Sequence, residues 1–206
     1  MPFDPFGDFE QKGYLRNIYG EKDLNIVKDL ENSTFKLNID EAVRDLSTKP
    51  INYETFKQTH ERLFGMLYPW AGQDRSITAP NIAITKGGYE TLFAHPGSVK
   101  IAAEYAFRNM IGATNPAGTC FARLAYSHPF LDGNGRTILT LHSEILRRNE
   151  QHVEWERTDK VEFLTALTTD LENPDKGHFE AYLNPYIKDN ALSLNEIGTR
   201  LKAFLG

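Results

Sequence analysis

The stretch HPFLDGNGR, from His128 to Arg136, places reactive and flexible residue types together within nine positions. Its Asp-Gly and Asn-Gly pairs are common in β-hairpin turns, which need alternating polar and apolar residues on both sides. The residues that follow, TILTLHSEILRR, instead carry apolar side chains at three- and four-residue intervals from Ile138 to Leu146, which is the spacing of a helix. The preceding GTCFARLAY is also typical of a helix. The stretch is therefore predicted to be a loop between two helices that leads directly into the second.

A glycine-rich loop that leads into a helix N-terminus is typical of an anion-binding site. Unpaired backbone N–H groups and the helix dipole favour negative charge there, and Gly133 and Gly135 would let a phosphate approach the backbone. Asn134 and Arg136 add side-chain donors, and an arginine can bind two phosphate oxygens at once. These residues indicate a phosphate-binding loop.

Asp132 and His128 add chemistry to this loop. Asp132 would repel a phosphate unless it held a Mg²⁺ that bridges to the phosphate. His128 lies four residues earlier and could take a proton from an incoming hydroxyl near neutral pH. Together the parts indicate phosphoryl or nucleotidyl transfer. The alternative is that His128 caps a helix and DGNG is a surface turn, and composition alone does not separate the two.

The composition of the whole chain is that of one folded domain. The 206 residues include 13 Phe and 9 Tyr, enough for a packed core. A net charge of −5 argues against a general nucleic-acid or membrane-surface partner. The single cysteine, Cys120, excludes an internal disulfide and is expected in the core. With no Sec signal and no apolar run of about 18 residues, we expect a cytosolic protein, with export as an effector left open.

The periodicity of apolar residues predicts a mainly α fold. Helices are predicted over residues 38–48, 53–68, 97–111, 116–127, 136–150, 160–171, 178–188 and about 192–205. Asn52 and Asp159 are expected to cap two of them, His60 and Trp70 to be buried, and His95 to pack near the hairpin described next. For His142 two positions stay open, the core and the wall of the site.

A single β-hairpin interrupts the helical pattern. Ile82 and Ile84 alternate with Ala83 and Thr85, a Gly-Gly turn follows, and residues 90–93 can return. A lone hairpin is only marginally stable unless it rests on other elements. We therefore expect this one to lie on the helices.

HPFLDGNGR resembles the signature of Fic-domain proteins, HPFx(D/E)GNGRxxR, and matches it at every specified position up to Arg136. The segment LFGMLYPWAGQDR, from Leu63 to Arg75, and the hairpin followed by FAHP resemble segments that Fic domains carry upstream. The likeness spans roughly residues 50–190. It implies a Fic-type helical bundle with one inserted β-hairpin, the flap. The predicted organisation is an N-terminal arm over residues 1–37 packed on the domain, the Fic domain over 38–190, and a C-terminal helix over 191–206.

Most Fic proteins transfer AMP from ATP to a hydroxyl group of a target protein. The resemblance implies that His128 deprotonates a Ser, Thr or Tyr of the target, that Asp132 holds Mg²⁺, and that Arg136 binds a phosphate. Gly133, Asn134 and Gly135 would form the anion-binding nest. The flap would hold a target segment by main-chain pairing, and its residues are Ile82, Ala83, Ile84, Thr85, Lys86 and Gly87.

Two departures from the family pattern concern the donor and its control. Leu139 stands where the extended motif has a second arginine, which normally meets the terminal phosphate. The donor could therefore deliver phosphocholine, phosphate or another nucleotide, and a catalytically silent Fic fold that binds or regulates a partner is a further alternative. The inhibitory pattern (S/T)xxxE(G/N) matches formally from Thr168 to Asn173, with Glu172, but Glu172 would lack an arginine partner at position 139. A separate antitoxin chain is also possible.

Overall fold

The computed structural model describes residues 2–84, 93–108, 110, 117–174 and 176–205. Within these ranges the α-helices are α1 (Phe9–Lys12), α2 (Leu24–Ser47), α3 (Tyr53–Phe64), α4 (Arg75–Thr78), α5 (Val99–Arg108), α6 (Ala117–Ser127), α7 (Asn134–Arg148), α8 (Lys160–Glu172), α9 (His178–Leu183) and α10 (Leu194–Phe204). Two short antiparallel strands, β1 (His152–Val153) and β2 (Ile187–Lys188), join the segments after α7 and α9. The prediction of a mainly α fold is confirmed.

Helix α7 lies at the centre of the bundle, in contact with α2, α3, α6 and α10. Even its polar Glu144 is fully buried, and this carboxylate pairs with Arg147 and Arg148 at 2.7 Å each. Arg148 also donates to the carbonyls of Leu46 and Lys49, at 2.9 and 2.7 Å, and so ties the end of α7 to the end of α2. Helix α7, which directly follows the site loop, is thus packed against other helices and tied to α2 at its C-terminal end.

Side-chain caps begin several helices, as their sequences predict. Asn52 accepts from the backbone N–H of Thr55 at 3.0 Å, and Thr55 caps Asn52 in return. Asp159 accepts from the N–H groups of Val161 and Glu162 at the start of α8. Such caps satisfy backbone donors that the helix itself leaves unpaired.

Helix α2 begins at Leu24, well before the start predicted at residue 38, so a single helix runs through that position. Its buried stripe includes Val27, Glu31 and Phe35 at four-residue spacing, and the charged Glu31 in that stripe hides the pattern. The N-terminal arm therefore ends before Leu24. The helix predicted over 178–188 is also wrong at its end, because Pro185 stops α9 and Ile187 lies in β2.

The flap hairpin predicted at residues 82–93 falls largely outside the described residues, which stop at Ile84 and resume at Phe93. Ile82, Ala83 and Ile84 have no regular secondary structure. The paired strands that the structure does describe, β1 and β2, lie elsewhere in the chain. The flap therefore stays a prediction.

Three further side chains lie in the core: Cys120 and Trp70, which were expected there, and His142, for which two positions were open. Cys120 is buried, and burial raises the pKa of its thiol. Trp70 is buried, as predicted, and its indole N–H donates to the carbonyl of Leu15 at 2.7 Å, which fastens the N-terminal arm. His142 is fully buried, with Nε2 2.8 Å from the carbonyl of Ala117, so the core position is the correct one. Among the described helices, none is both long and apolar enough to cross a bilayer.

The buried His142 makes the stability of the fold depend on pH. Burial lowers its pKa to about 4, so between pH 6.5 and 4 the unfolded chain takes up a proton that the folded chain does not. Above pH 6.5 the free energy of unfolding does not depend on this residue's titration, and below pH 6.5 it falls by about 1.4 kcal/mol per pH unit. We expect His142→Gln, which cannot titrate, to be less stable than the wild type at pH 7 and to lose this disadvantage progressively towards pH 4.

Urea unfolding at pH 7, 6, 5 and 4.5 measures the difference. The control is His178→Gln at an exposed position, which should leave the pH dependence of the wild type unchanged. A difference between His142→Gln and the wild type that stays constant over this range would contradict the assignment.

Candidate active site

The stretch from His128 to Arg136 comprises the loop between α6 and α7 and the first three residues of α7, and its backbone is left-handed at two positions. His128 has φ +37° and Gly133 has φ +75°, both in the left-handed region that favours glycine. A Cβ atom on Gly133 would lie 2.7 Å from the ring of Phe64 and 3.1 Å from Nε2 of His60. Position 133 therefore requires glycine for two independent reasons, its backbone angle and the close approach of α3.

The side chain of Asn134 closes the loop internally. Its Oδ1 accepts from the N–H of Phe130 at 2.9 Å, and its Nδ2 donates to the carbonyl of the same residue at 2.8 Å. Nδ2 also lies 3.2 Å from Nε2 of His128, where a neutral imidazole can accept its second N–H. The Asn134 amide therefore shapes the loop and faces the predicted base, which leaves its backbone N–H as its contribution to the predicted nest.

His60 supports the loop from below. The backbone N–H of Gly72 donates to its Nδ1 at 3.0 Å, so Nε2 carries the proton and donates to the carbonyl of Asp132, also at 3.0 Å. The imidazole stacks on the buried ring of Phe130 with centroids 3.8 Å apart. Burial lowers the pKa of His60 to about 3, so it stays neutral in this tautomer near neutral pH. The sequence predicted its burial but not this contact.

Arg136 is fixed by residues of α2 that the sequence analysis missed. Its Nη2 lies 2.9 Å from Oε2 of Glu31, and its Nη1 donates to Oδ1 of Asn32 at 3.2 Å. Glu31 also accepts from the hydroxyl of Tyr68 at 2.9 Å. Burial, and then the charge of Asp132, raise the pKa of Glu31, while Arg136 lowers it. The sequence signal that could have identified these partners of Arg136 is the pair Glu31-Asn32, which matches the end of the inhibitory pattern. Val27, however, stands where that pattern has Ser or Thr.

Asp132 lies on the wall of the cavity, and its Oδ1 accepts from the N–H of Gly133 at 2.7 Å. Among the described residues no three acidic, histidine or cysteine side chains cluster as a complete metal site. Mg²⁺ commonly takes one or two carboxylates and completes its shell with water and phosphate oxygens. The donor set here, Asp132 together with the open cavity, fits that chemistry.

The site loop forms one wall of a cavity of about 1000 Å³. Leu139, itself almost fully buried, also lines it, and no cation stands at that position. Further lining residues are Lys160 at the start of α8 and Arg200 of α10, which pairs with Glu156 at 3.0 Å. Pockets for small ligands are typically 300–1,000 Å³, so this one is large enough for a nucleotide.

Other predicted residues lie away from this cavity or outside the description. Thr85, Lys86 and Gly87 fall outside the described residues. Glu172 is exposed at the end of α8 and does not line the cavity, and the carboxylate that pairs with Arg136 is Glu31. His95 is exposed, and its Nδ1 accepts from the N–H of Gly97 at 3.2 Å.

Comparison with known proteins agrees with this geometry. Residues 50–146 match the sequence model of the Fic/DOC family. Over these residues the chain is similar to a Fic domain. The N-terminal Fic domain of a VirB-translocated effector protein from Bartonella quintana, solved with bound ADP, superposes on it with a TM-score of 0.73. That match covers 91% of this chain and 96% of the other at 16% identity, which establishes the likeness of fold alone.

Two curated proteins resemble the chain more closely in sequence. The protein adenylyltransferase VbhT of Bartonella schoenbuchensis is 26% identical over 167 residues, which are 79% of this chain and 35% of VbhT. The chain thus spans about a third of the length of that relative. The protein y4lH of Sinorhizobium fredii, named a probable protein adenylyltransferase, is 26% identical over 74% of this chain and 81% of its own length.

The stretch from His128 to Arg136, called the Fic loop below, contains two glycines that make a matched pair for mutation. We expect Gly133→Ala to lower the free energy of unfolding by about 2–4 kcal/mol, because a methyl group there adds backbone strain and overlaps Phe64. Gly135→Ala, with open space around its Cβ in a helical turn, should change stability by less than about 1 kcal/mol and towards greater stability. Urea unfolding of both variants checks this, and equal effects would contradict the left-handed turn at Gly133.

Proposed function

We propose that the chain is a protein adenylyltransferase that moves AMP from ATP to a Ser, Thr or Tyr hydroxyl of a target protein. The observation that carries the proposal is the Fic loop, which presents His128, Asp132 and Arg136 on one wall of a nucleotide-sized cavity. The adenylyltransferase names of the two curated relatives support it.

In this reaction His128 accepts the proton of the target hydroxyl as its oxygen bonds to the α-phosphorus of ATP. The bond between that phosphorus and the bridging oxygen then breaks, and pyrophosphate leaves. Asn134, at 3.2 Å, holds the imidazole towards the loop, and Arg136 and the backbone N–H groups of the nest stabilise the negative charge on the phosphates. Mg²⁺, held by Asp132, would neutralise phosphate charge when bound.

Leu139 supports a second candidate, the transfer of a group other than AMP. It places an apolar side chain on the cavity wall where the extended motif has an arginine for the terminal phosphate. A donor without that phosphate, such as a CDP-choline, would lose nothing by the replacement. ATP remains the first candidate, because Lys160 and Arg200 also line the cavity and could meet a terminal phosphate.

The partners follow from this chemistry: a nucleotide donor, Mg²⁺ and a protein that carries the acceptor hydroxyl. The Bartonella quintana relative is described as a translocated effector, which supports export of this chain as an alternative to action in the cytosol. Control by a separate antitoxin chain stays a prediction.

Transfer itself is tested by intact-mass spectrometry and α-labelled ATP. Incubation with Mg²⁺, ATP and a lysate should add AMP to a protein band or to the chain itself, and His128→Ala should abolish the label because the base is lost. The matched control, His178→Ala, removes an exposed histidine and should label normally. Label from CDP-choline with none from ATP would overturn the choice of donor.

Glu31 is expected to oppose donor binding. Its carboxylate pairs with Arg136 and adds negative charge beside Asp132, so Glu31→Gln should tighten ATP binding about three- to tenfold. The amide oxygen can still accept from Arg136, while the amide NH2 can donate to the Tyr68 hydroxyl oxygen in place of the bond that Tyr68 donates to Glu31. Calorimetric titration with Mg²⁺ and ATP measures the dissociation constant. Glu156→Gln, an exposed carboxylate that also lines the cavity, is the control and should have a smaller effect. Weaker binding by Glu31→Gln would instead assign Glu31 to orienting Arg136.

A further inference from the structure

Arg75, the first residue of α4, is fully buried beneath the Fic loop. Its Nε donates to the carbonyl of His128 at 2.7 Å, and its Nη2 donates to the carbonyl of Ala94 at 2.6 Å. Its backbone N–H donates to the carbonyl of Pro129, also at 2.7 Å. One residue thus binds the main chain of the predicted base, of the residue after it, and of the segment that follows the predicted flap.

Stability alone does not account for this arrangement. Removing a guanidinium from water is costly, and burial lowers the pKa of Arg75 accordingly. Its Nη1 is buried and has no hydrogen-bond partner within the described residues. An apolar side chain of similar volume would remove the unsatisfied donor but would leave the carbonyls of His128 and Ala94 without the hydrogen bonds that Arg75 donates. The contacts that the arginine does make are therefore the feature to explain.

Those contacts act on the backbone and on the ring of His128. The backbone of His128 is left-handed at φ +37°, a strained conformation for a residue with a side chain, and Arg75 binds its carbonyl in that conformation. The ring of Phe93 stacks on the imidazole with centroids 4.1 Å apart. Phe93 directly precedes Ala94, whose N–H donates to the carbonyl of Tyr126 at 2.9 Å and whose carbonyl accepts from Arg75. Arg75 is therefore linked to His128 in two ways: directly through the His128 carbonyl, and indirectly through Ala94 and the adjacent Phe93 ring.

We propose that Arg75 is a positioning residue for His128, which it orients through the His128 carbonyl and through the stacked ring of Phe93. The planar fork of an arginine can serve two carbonyls from separate segments at once, whereas the single ammonium group of a lysine is a point donor on a flexible stem. The inference rests on the proposed function for its kinetic consequence, but not for its structural one.

The test compares Arg75→Lys with Arg148→Lys. Arg148 is a matched control because it too donates to main-chain carbonyls of a separate segment, those of Leu46 and Lys49, but at the far end of α7. We expect Arg75→Lys to lower kcat for AMP transfer about ten- to hundredfold, with the KM for ATP and its calorimetric Kd within twofold of the wild type. Arg148→Lys should lower the urea midpoint comparably and leave kcat unchanged.

A second measurement does not depend on transfer. Protons that lie over the face of a stacked aromatic ring have NMR signals shifted upfield, and Phe93 stacks in this way on His128. We therefore expect Arg75→Lys and Phe93→Leu both to move the signals of the His128 ring protons, and Arg148→Lys to leave them unchanged. Unchanged His128 signals in Arg75→Lys would overturn the proposal even if the chain transfers no AMP. A fall in kcat shared equally by Arg75→Lys and Arg148→Lys would reduce Arg75 to a structural role. Absence of transfer in the wild type, with the signals moved as expected, would instead refute the proposed function.

Discussion

The contact between His60 and the Fic loop is the constraint on which the site depends. The loop must turn its polar groups towards the cavity while its backbone lies against an apolar core, and a buried neutral imidazole makes both possible. Its one face stacks on Phe130, and its two nitrogens satisfy a donor from Gly72 and an acceptor from Asp132. The close approach of this ring also leaves no room for a side chain at position 133. The sharp turn before α7, and with it the direction of Asp132 and Arg136, follows from that packing.

Around this support the two arginines of the site have different roles because their surroundings differ. Arg136 pairs with Glu31 and is partly exposed to the cavity, so an incoming anion there could reach its guanidinium in competition with Glu31. Arg75 is fully buried outside the cavity, and its Nε and Nη2 donate to main-chain carbonyls. The same type of side chain therefore faces the cavity in one place and binds only main-chain carbonyls in the other, and the difference in burial separates the two.

The sequence was sufficient to predict the parts of the fold whose signals are local. The loop and the helix after it were predicted from adjacent residues, and the caps Asn52 and Asp159 were identified from their own short context. The predictions failed where the signal was masked or distant. The first half of α2 was not predicted because the charged Glu31 interrupts its apolar stripe. The helix predicted to reach residue 188 ends before Pro185, and Ile187 and Lys188 form a strand instead. Nothing near Arg75 in the sequence indicates that its partners lie at positions 94 and 128, because only the folded chain brings them together.

The placement of the tryptophans has an optical consequence. The chain contains two, and each lies against the site from a different side. Trp155 lines the cavity, while Trp70 stacks on Tyr68 and His60 beneath the loop, with ring centroids 4.7 and 5.7 Å apart. The tryptophan fluorescence of the protein therefore originates from the wall of the cavity and from the residues that support the loop. A ligand bound in this cavity is therefore expected to change the tryptophan fluorescence, with no label added to the chain.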